Sequence, residues 1–222
     1  MKKALIFILL LSVLVIPVRA DDNVIYSWHS NEKKIALTFD DGPHPELTRE
    51  ILDILDEYGV KATFFVIGEN AGWYPELVAE EYNRGHEIGN HTFDHGDMKK
   101  LTTDQIKAEI ESTENAVYEN IEYRTKFFRP PGGLIGNSVL SAASDEDYRI
   151  VCWSVDTRDW AHTPVDKIVE NVLTNTGEGD IILFHDYISG DSPTPAALRK
   201  IIPELLSRGY TFVTISELVN SD

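Results

Sequence analysis

A single cysteine, Cys152, occurs among 222 residues, which excludes an internal disulfide and leaves the fold to be held by its core or by a metal. Cys152 itself reads as a small buried apolar side chain within a strand. Cations are scarce as well: 20 Lys and Arg face 37 Asp and Glu, giving a formal charge of −17. That imbalance argues against nucleic acid, and against anionic membranes or wall polymers held by charge, while a neutral substrate is not disfavoured. No Ser/Gly/Pro-rich linker, composition shift, internal repeat or low-complexity segment divides the chain. One domain with a substantial core is therefore expected. The longest apolar stretch, Ala4 to Pro17, falls short of the roughly 20 residues a membrane span needs. Preceded by Lys2 and Lys3 and followed by Val18-Arg19-Ala20, it reads as an export leader over residues 1–20. The expectation is a secreted or cell-envelope domain over residues 21–222, a monomer with no integral span after cleavage, with an uncleaved N-terminal anchor as the alternative. Loss of three leader cations takes its charge from −17 to −20.

What the chain does have is alternation. Strands are expected at Ile35 to Phe39, Ala62 to Ile67, Glu87 to Gly89, Lys126 to Phe128, Arg149 to Val155, Ile181 to Phe184 and Tyr210 to Val213. Between the first two, Leu47, Ile51, Leu55 and Tyr58 share one helical face that stops before Gly59. Further helices are expected over Pro75 to Asn83, from Thr102 to about Asn120, around Ser138 to Ala143, over Val165 to Leu173 behind Pro164, and over Ala196 to Ser207. Thr102 with Gln105 resembles a capping box. Such alternation predicts an α/β fold with a mostly parallel sheet. Ligand-handling residues in these folds gather beyond the C-terminal ends of strands. Asp40, Asp41, His91, Arg129, Asp156 and His185 each follow an apolar run closely, which places them on one rim.

Thr38-Phe39-Asp40-Asp41-Gly42-Pro43 closes the first run with two carboxylates and a turn sequence. Adjacent residues leaving a strand point to opposite sides, so one Asp is expected to ligate a metal while its neighbour faces a water. His91-Thr92-Phe93-Asp94-His95 spaces two imidazoles four residues apart, which converge on one ion if the segment turns helically. Two His and one Asp make three ligands with positions left over, a donor set suited to zinc and equally to cobalt or nickel. Asn90-His91-Thr92 also matches a glycosylation acceptor, but a glycan there would bury the metal site. In Arg129-Pro130-Pro131-Gly132-Gly133 the glycines either complete a rigid turn or let backbone N–H groups approach an oxyanion. Arg129 is suited to holding a carboxylate such as Asp40 in its ionised form. Asp156 to Trp160 sets two acids beside an aromatic plane, suited to a sugar ring or to the interior. Leu183-Phe184-His185-Asp186 ends a strand on an imidazole that, paired with Asp159, would hold its proton more tightly and act as a proton donor.

These five segments, in this order and spacing, resemble the polysaccharide deacetylases of carbohydrate esterase family 4, over roughly Lys33 to Leu218. The resemblance implies a distorted (β/α) barrel and metal-dependent removal of N-acetyl groups from N-acetylglucosamine-containing glycans, chitin oligomers or peptidoglycan, with release of acetate. It implies Asp40 as general base, and Asp41, His91 and His95 as ligands of one divalent ion, zinc before cobalt or nickel. His185 would be the general acid assisted by Asp159, and Arg129 would orient Asp40. Leu183 and Trp160 would wall the acetyl pocket, and the Gly132 N–H would face the oxyanion. An esterase removing O-acetyl groups from xylan is the alternative on the same machinery. One departure stands out: the family often carries an aromatic residue where this chain has Gly132. The N–H remains while a side chain walling the groove is lost, which touches substrate preference and not the chemistry.

Overall fold

The computed structural model describes residues 24–29 and 31–221, so the leader reading at residues 1–20 lies outside the described residues. Among the described residues no helix is long and apolar enough to cross a membrane.

The strand β2 (Lys34–Asp40) is the hub of the sheet. Ile35, Leu37 and Phe39 are fully buried on the face covered by helices, where Phe39 stacks on Phe64 and Phe184 with ring centroids 5.0 and 5.9 Å apart. Ala36, Thr38 and Asp40 take the opposite face, because successive strand side chains alternate. Ala36 joins an inner apolar cluster with Phe65, Ile181 and Ile215, whereas Thr38 and Asp40 both accept from the Arg129 guanidinium. The inner face of β2 thus runs from apolar at its start to ionic at its end.

In parallel with β2 run β3 (Ala62–Val66) and β8 (Ile181–His185), which set Asp40 opposite Phe65 and His185. Beyond them lie β4 (Glu87–Asn90), β5 (Phe127–Phe128), β6 (Arg149–Val151) and β1 (Val24–Ile25) on one side, and β7 (Val155–Asp156) on the other. The order is β1-β6-β5-β4-β3-β2-β8-β7, with β9 (Thr211–Phe212) pairing with the start of β2. Eight α-helices are described: α1 (Leu47–Tyr58), α2 (Gly68–Trp73), α3 (Pro75–Asn83), α4 (Thr103–Ile121), α5 (Asn137–Asp145), α6 (Val165–Asn175), α7 (Thr194–Ser207) and α8 (Ile215–Val219). As expected, α1 ends where Gly59 adopts φ +66°, and α4 opens with the Thr102–Gln105 capping box. Ile51, Leu52, Ile54 and Leu55 of α1 are fully buried, each worth about 1.5–3 kcal/mol of transfer free energy.

The expected strand from Arg149 to Val155 is in fact two strands. Cys152-Trp153-Ser154 carries the chain from β6, near one end of the sheet, to β7 at the other. Four Cα steps reach at most about 14 Å, so the sheet must curl until its ends nearly meet. Trp28 N–H donating to the Gly179 carbonyl at 2.8 Å and an antiparallel Ser27–Asp180 bridge close the same gap. The result is a distorted (β/α) barrel, and the break escaped the sequence because no Gly or Pro marks it. Its backbone stays paired on both sides, Cys152 N–H with the Ile25 carbonyl and Ser154 N–H with the Ile181 carbonyl.

Candidate metal centre and active site

The strand ends converge on a cavity of about 420 Å³ lined by Asp40, Asp41, His91, His95, Gly132, Trp153, Asp156, Trp160, Leu183 and His185. All the sequence-derived candidates except Arg129 and Asp159 reach its surface, and those two lie directly behind Asp40 and His185.

Asp40 is the last residue of β2, and Asp41 follows in the left-handed region at φ +77°. The chain therefore doubles back, and the two carboxylates share one space instead of facing opposite sides. His91 Nε2 lies 3.8 Å from Asp40 Oδ2 and 3.4 Å from Asp41 Oδ1. Strict alternation presumed an extended backbone through Asp41, which this corner does not have. Nor is the histidine segment helical: Thr92 (φ +68°) and His95 (φ +56°) are both left-handed. Each such non-glycine residue costs on the order of 1 kcal/mol and persists only when its surroundings impose it. Here the imposing groups are Glu109, whose Oε2 accepts from the N–H groups of Phe93 and Asp94, and Asn90, whose Oδ1 accepts from Thr92 N–H. The loop brings His95 Nε2 to 3.3 Å from Asp41 Oδ1, with the two imidazole centroids 5.2 Å apart. Asn90 is fully buried and its amide donates to the Ile110 carbonyl, so it offers no site to a glycan.

One ligand atom each from Asp41, His91 and His95 fall within 4.8 Å of one another. Asp41 Oδ1 is buried and has no hydrogen-bond partner among the described residues. His91 Nδ1 is 2.7 Å from the Arg129 carbonyl, an oxygen that only accepts, so Nδ1 carries the hydrogen and Nε2 turns toward Asp41. A buried, orphaned carboxylate oxygen flanked by two imidazole nitrogens is a set that a divalent cation completes. The residues present fit such an ion. Burial opposes charge on all three. The Asp41 carboxyl nevertheless stays below its usual range through His91, whose Nε2 lies 3.4 Å away, with the charges of His185 and His95 adding to it. His91 is raised by Asp40 and Asp41 against its burial, and His95 is lowered by burial and by the charge of His91.

The Arg129 guanidinium is completely buried and fixed on four sides. Nε donates to the Val151 carbonyl at 3.0 Å, Nη2 to the Cys152 carbonyl at 3.0 Å, and Nη1 to Thr38 Oγ1 at 2.9 Å and Asp40 Oδ1 at 2.7 Å. It also lies over the rings of Phe65 and Trp153 at 4.1 and 5.6 Å. Asp40 is thereby held through Oδ1 with Oδ2 left facing the cavity.

His185 ends the neighbouring strand β8, in register with Asp40. Its Nδ1 is 2.8 Å from Asp159 Oδ1, and Asp159 also accepts from the N–H of His185, the N–H of Trp160 and the Thr194 hydroxyl. Burial alone would depress the imidazole, but the Asp159 hydrogen bond and charge, with Asp40 and Asp41 beyond, push it up to about 9. Trp160 is half exposed on the cavity, so of its two sequence readings the interior one fails. Gly132 sits at φ +63°, a conformation glycine adopts without penalty.

Three contributors had no part in the sequence reading. Trp153, at the break between β6 and β7, lines the cavity and lies beneath the Arg129 guanidinium, a place that a single unbroken strand does not give it. Asn70, whose amide donates to the Asp41 carbonyl at 2.7 Å, sits on α2, a helix too short to show periodicity. Asp186 had no assigned role, yet it braces the whole Asp40–Gly42 corner. Its N–H donates to the Asp40 carbonyl at 3.1 Å, Oδ1 accepts from Gly42 N–H at 3.0 Å, and Oδ2 accepts from the Thr48 hydroxyl at 2.7 Å. A Cβ on Gly42 would stand 1.9 Å from Asp186 Oδ2, so glycine is required at that turn.

Residues 29–151 match the polysaccharide deacetylase family. A peptidoglycan-N-acetylglucosamine deacetylase of Bacillus cereus is 44% identical over 192 residues, which span 86% of this chain and 90% of that protein. The solved structure of a peptidoglycan N-acetylglucosamine deacetylase in complex with 4-naphthalen-1-yl-N-oxidanyl-benzamide gives a TM-score of 0.87 at 41% identity, covering 91% of this chain and 95% of that one. A family 4 acetyl xylan esterase from Clostridium thermocellum, in complex with a cobalt ion, gives a TM-score of 0.79 at 38% identity over 83% of this chain and 89% of the other.

Proposed function

This chain belongs to the polysaccharide deacetylase family and is a carbohydrate deacetylase, and we propose that it removes N-acetyl groups from N-acetylglucosamine-containing glycans, chitin oligomers or peptidoglycan, outside the cytoplasm. The observation that carries the reading is the placement of an acceptor carboxylate and a donor imidazole side by side, at the ends of the adjacent strands β2 and β8, in one cavity. Amide hydrolysis needs both, since water loses a proton as it attacks and the amine gains one as it leaves.

Asp40, pinned by Arg129 through Oδ1, takes the proton of the attacking water on Oδ2. As the water oxygen bonds to the acetyl carbon, the Gly132 N–H donates to the developing oxyanion. His185, kept protonated by Asp159, delivers its proton to the sugar nitrogen as the C–N bond breaks, leaving acetate and a free amino sugar. Leu183 and Trp160 flank the acetyl methyl. Asp41, His91 and His95 would hold one divalent ion, zinc by the donor set, with cobalt or nickel as alternatives. When bound, that ion supplies Lewis-acid polarisation of the carbonyl and of the nucleophilic water.

The esterase likeness supports a second reading, O-deacetylation of xylan. An alkoxide leaves with less help than an amine, so His185→Ala is expected to collapse amide hydrolysis while sparing ester hydrolysis. Acetate release from chitin oligomers, peptidoglycan and acetylated xylan decides between them. Preference for xylan would replace the proposal, and no acetate from any of the three with metal supplied would end it.

A further inference from the structure

A second groove, of about 320 Å³, adjoins the catalytic cavity. Three of its lining residues belong to the metal corner: Pro43 follows Asp41 by two positions, Asp94 precedes His95, and Asn70 donates to the Asp41 carbonyl. Its walls are aromatic. Trp73 is 65% exposed and Tyr187 45%, and they join Tyr74 around the groove. Seven large hydrophobic side chains stand exposed among the described residues, two of them here and a third, Trp160, in the cavity next door. Tyr187 is braced against His44, ring centroids 5.3 Å apart.

Apart from the imidazole of His44, whose Nδ1 accepts from Leu47 N–H and whose ring lies against Tyr187, the charged lining is of one sign. Glu69 and Asp94 present carboxylates to the groove, neither forms an ion pair among the described residues, and no Lys or Arg lines it. An aromatic wall accepts the C–H face of any pyranose and attracts a cation over its ring. Two unpaired carboxylates beside that wall favour a ring bearing an ammonium and repel one bearing a carboxylate. The reaction proposed above makes such a ring, since each turnover converts a neutral acetamido sugar into an amino sugar.

We propose that this groove binds an already deacetylated glucosamine residue of the glycan, through its ammonium, while an acetylated residue of the same chain occupies the catalytic cavity. The groove's occupant rests on the deacetylase reading, and it makes the enzyme favour sites next to those already processed. Acetyl groups would then leave in runs.

Calorimetric titration of the full chain with zinc supplied, so that the Asp41 charge is compensated, tests this with two probes. One is a β-linked glucosamine tetramer at mildly acidic pH and low salt, where its amines carry protons; the other is its fully N-acetylated counterpart. The glucosamine tetramer is expected to bind more tightly, and Glu69→Gln and Trp73→Ala are each expected to weaken it about tenfold. Added salt should erode the preference. Both positions lie at the surface, and a thermal melt checks that the variants fold. Equal binding of the two tetramers, or undiminished binding to Glu69→Gln, overturns the proposal. Intact preference without acetate release from any acetylated glycan would instead sink the deacetylase reading and leave the groove's ligand standing.

Discussion

Asp159 and Asp41 are both carboxylates on one barrel rim, and the protein treats them in opposite ways. Asp159 accepts four hydrogen bonds, two from His185 and one each from Trp160 and Thr194. Asp41 keeps a buried oxygen with no partner among the described residues, between two imidazoles. Buried polar atoms are nearly always paired, so the contrast separates a wall that is complete as folded from a corner that a ligand completes. Arg129 sides with Asp159, each of its three nitrogens donating within the chain, one of them to Asp40 Oδ1.

The largest effect should come from removing a proposed metal ligand at the incomplete corner. His91→Ala is expected to lower zinc affinity by more than the 10–100-fold that loss of an outer partner brings, and to abolish acetate release. Metal content, and the rise in melting temperature on adding zinc, report it. Thr194→Ala, on the complete wall, should retain its metal. Equal metal content in both variants would erase the distinction between the two carboxylates.

Next in size is Asp40→Asn, which preserves shape and the Arg129 contact but removes the carboxylate proposed to accept the proton. Turnover should fall about 10²–10⁴-fold with metal still bound. Loss of metal from this variant would mean that the roles of Asp40 and Asp41 are exchanged.

The complete wall was legible in the sequence to a greater extent than the incomplete corner. Strand ends marked by Asp40 and His185, the helix stop at Gly59 and the Thr102 cap are local signals, carried by periodicity or by one residue's conformational habit. The corner depends instead on three left-handed non-glycine residues, Asp41, Thr92 and His95. Beyond the Asn90 side chain that accepts from Thr92 N–H, nothing local dictates those conformations. Distant groups impose them, Asp186 by seizing Gly42 N–H and Glu109 by seizing the loop after Thr92. Residue types with metal-binding habits could be named from their order, but the turns that aim them could not. The split at Cys152 has the same character, because barrel closure, a property of the whole sheet, decides it.

A smaller effect tests whether the complete wall holds its proton as the geometry implies. An ordinary imidazole titrates near 6.5 and His185 near 9, so its contribution to stability is whole below 6.5 and lost as pH rises through 9. The slope reaches at most about 1.4 kcal/mol per pH unit. Burial also pushes Asp186 from 3.8 up to about 7, and its destabilising ionisation is complete above that pH, which leaves the interval from 7 to 9 to the histidines. His91, raised as well, acts in the same sense, so Asp159→Asn assigns the slope. Denaturation midpoints of the metal-free chain should fall across this interval, and less steeply in Asp159→Asn. A bound cation disfavours the imidazolium, so zinc should move the fall to lower pH. Identical pH profiles for the two proteins would remove Asp159 as the group that holds the His185 proton.

The smallest effect belongs to Gly132, which lines the same cavity. At Gly132 a Cβ would meet only Leu134 Cγ at 3.9 Å, in contrast to Gly42, where it would collide with Asp186. The penalty for Gly132→Ala is therefore that of the left-handed backbone alone, about 1 kcal/mol in a denaturant titration. Because the N–H survives the substitution, kcat should change by no more than a few-fold. A loss of several hundredfold would show that the loop must move through conformations only glycine reaches, which a fixed backbone donor does not require.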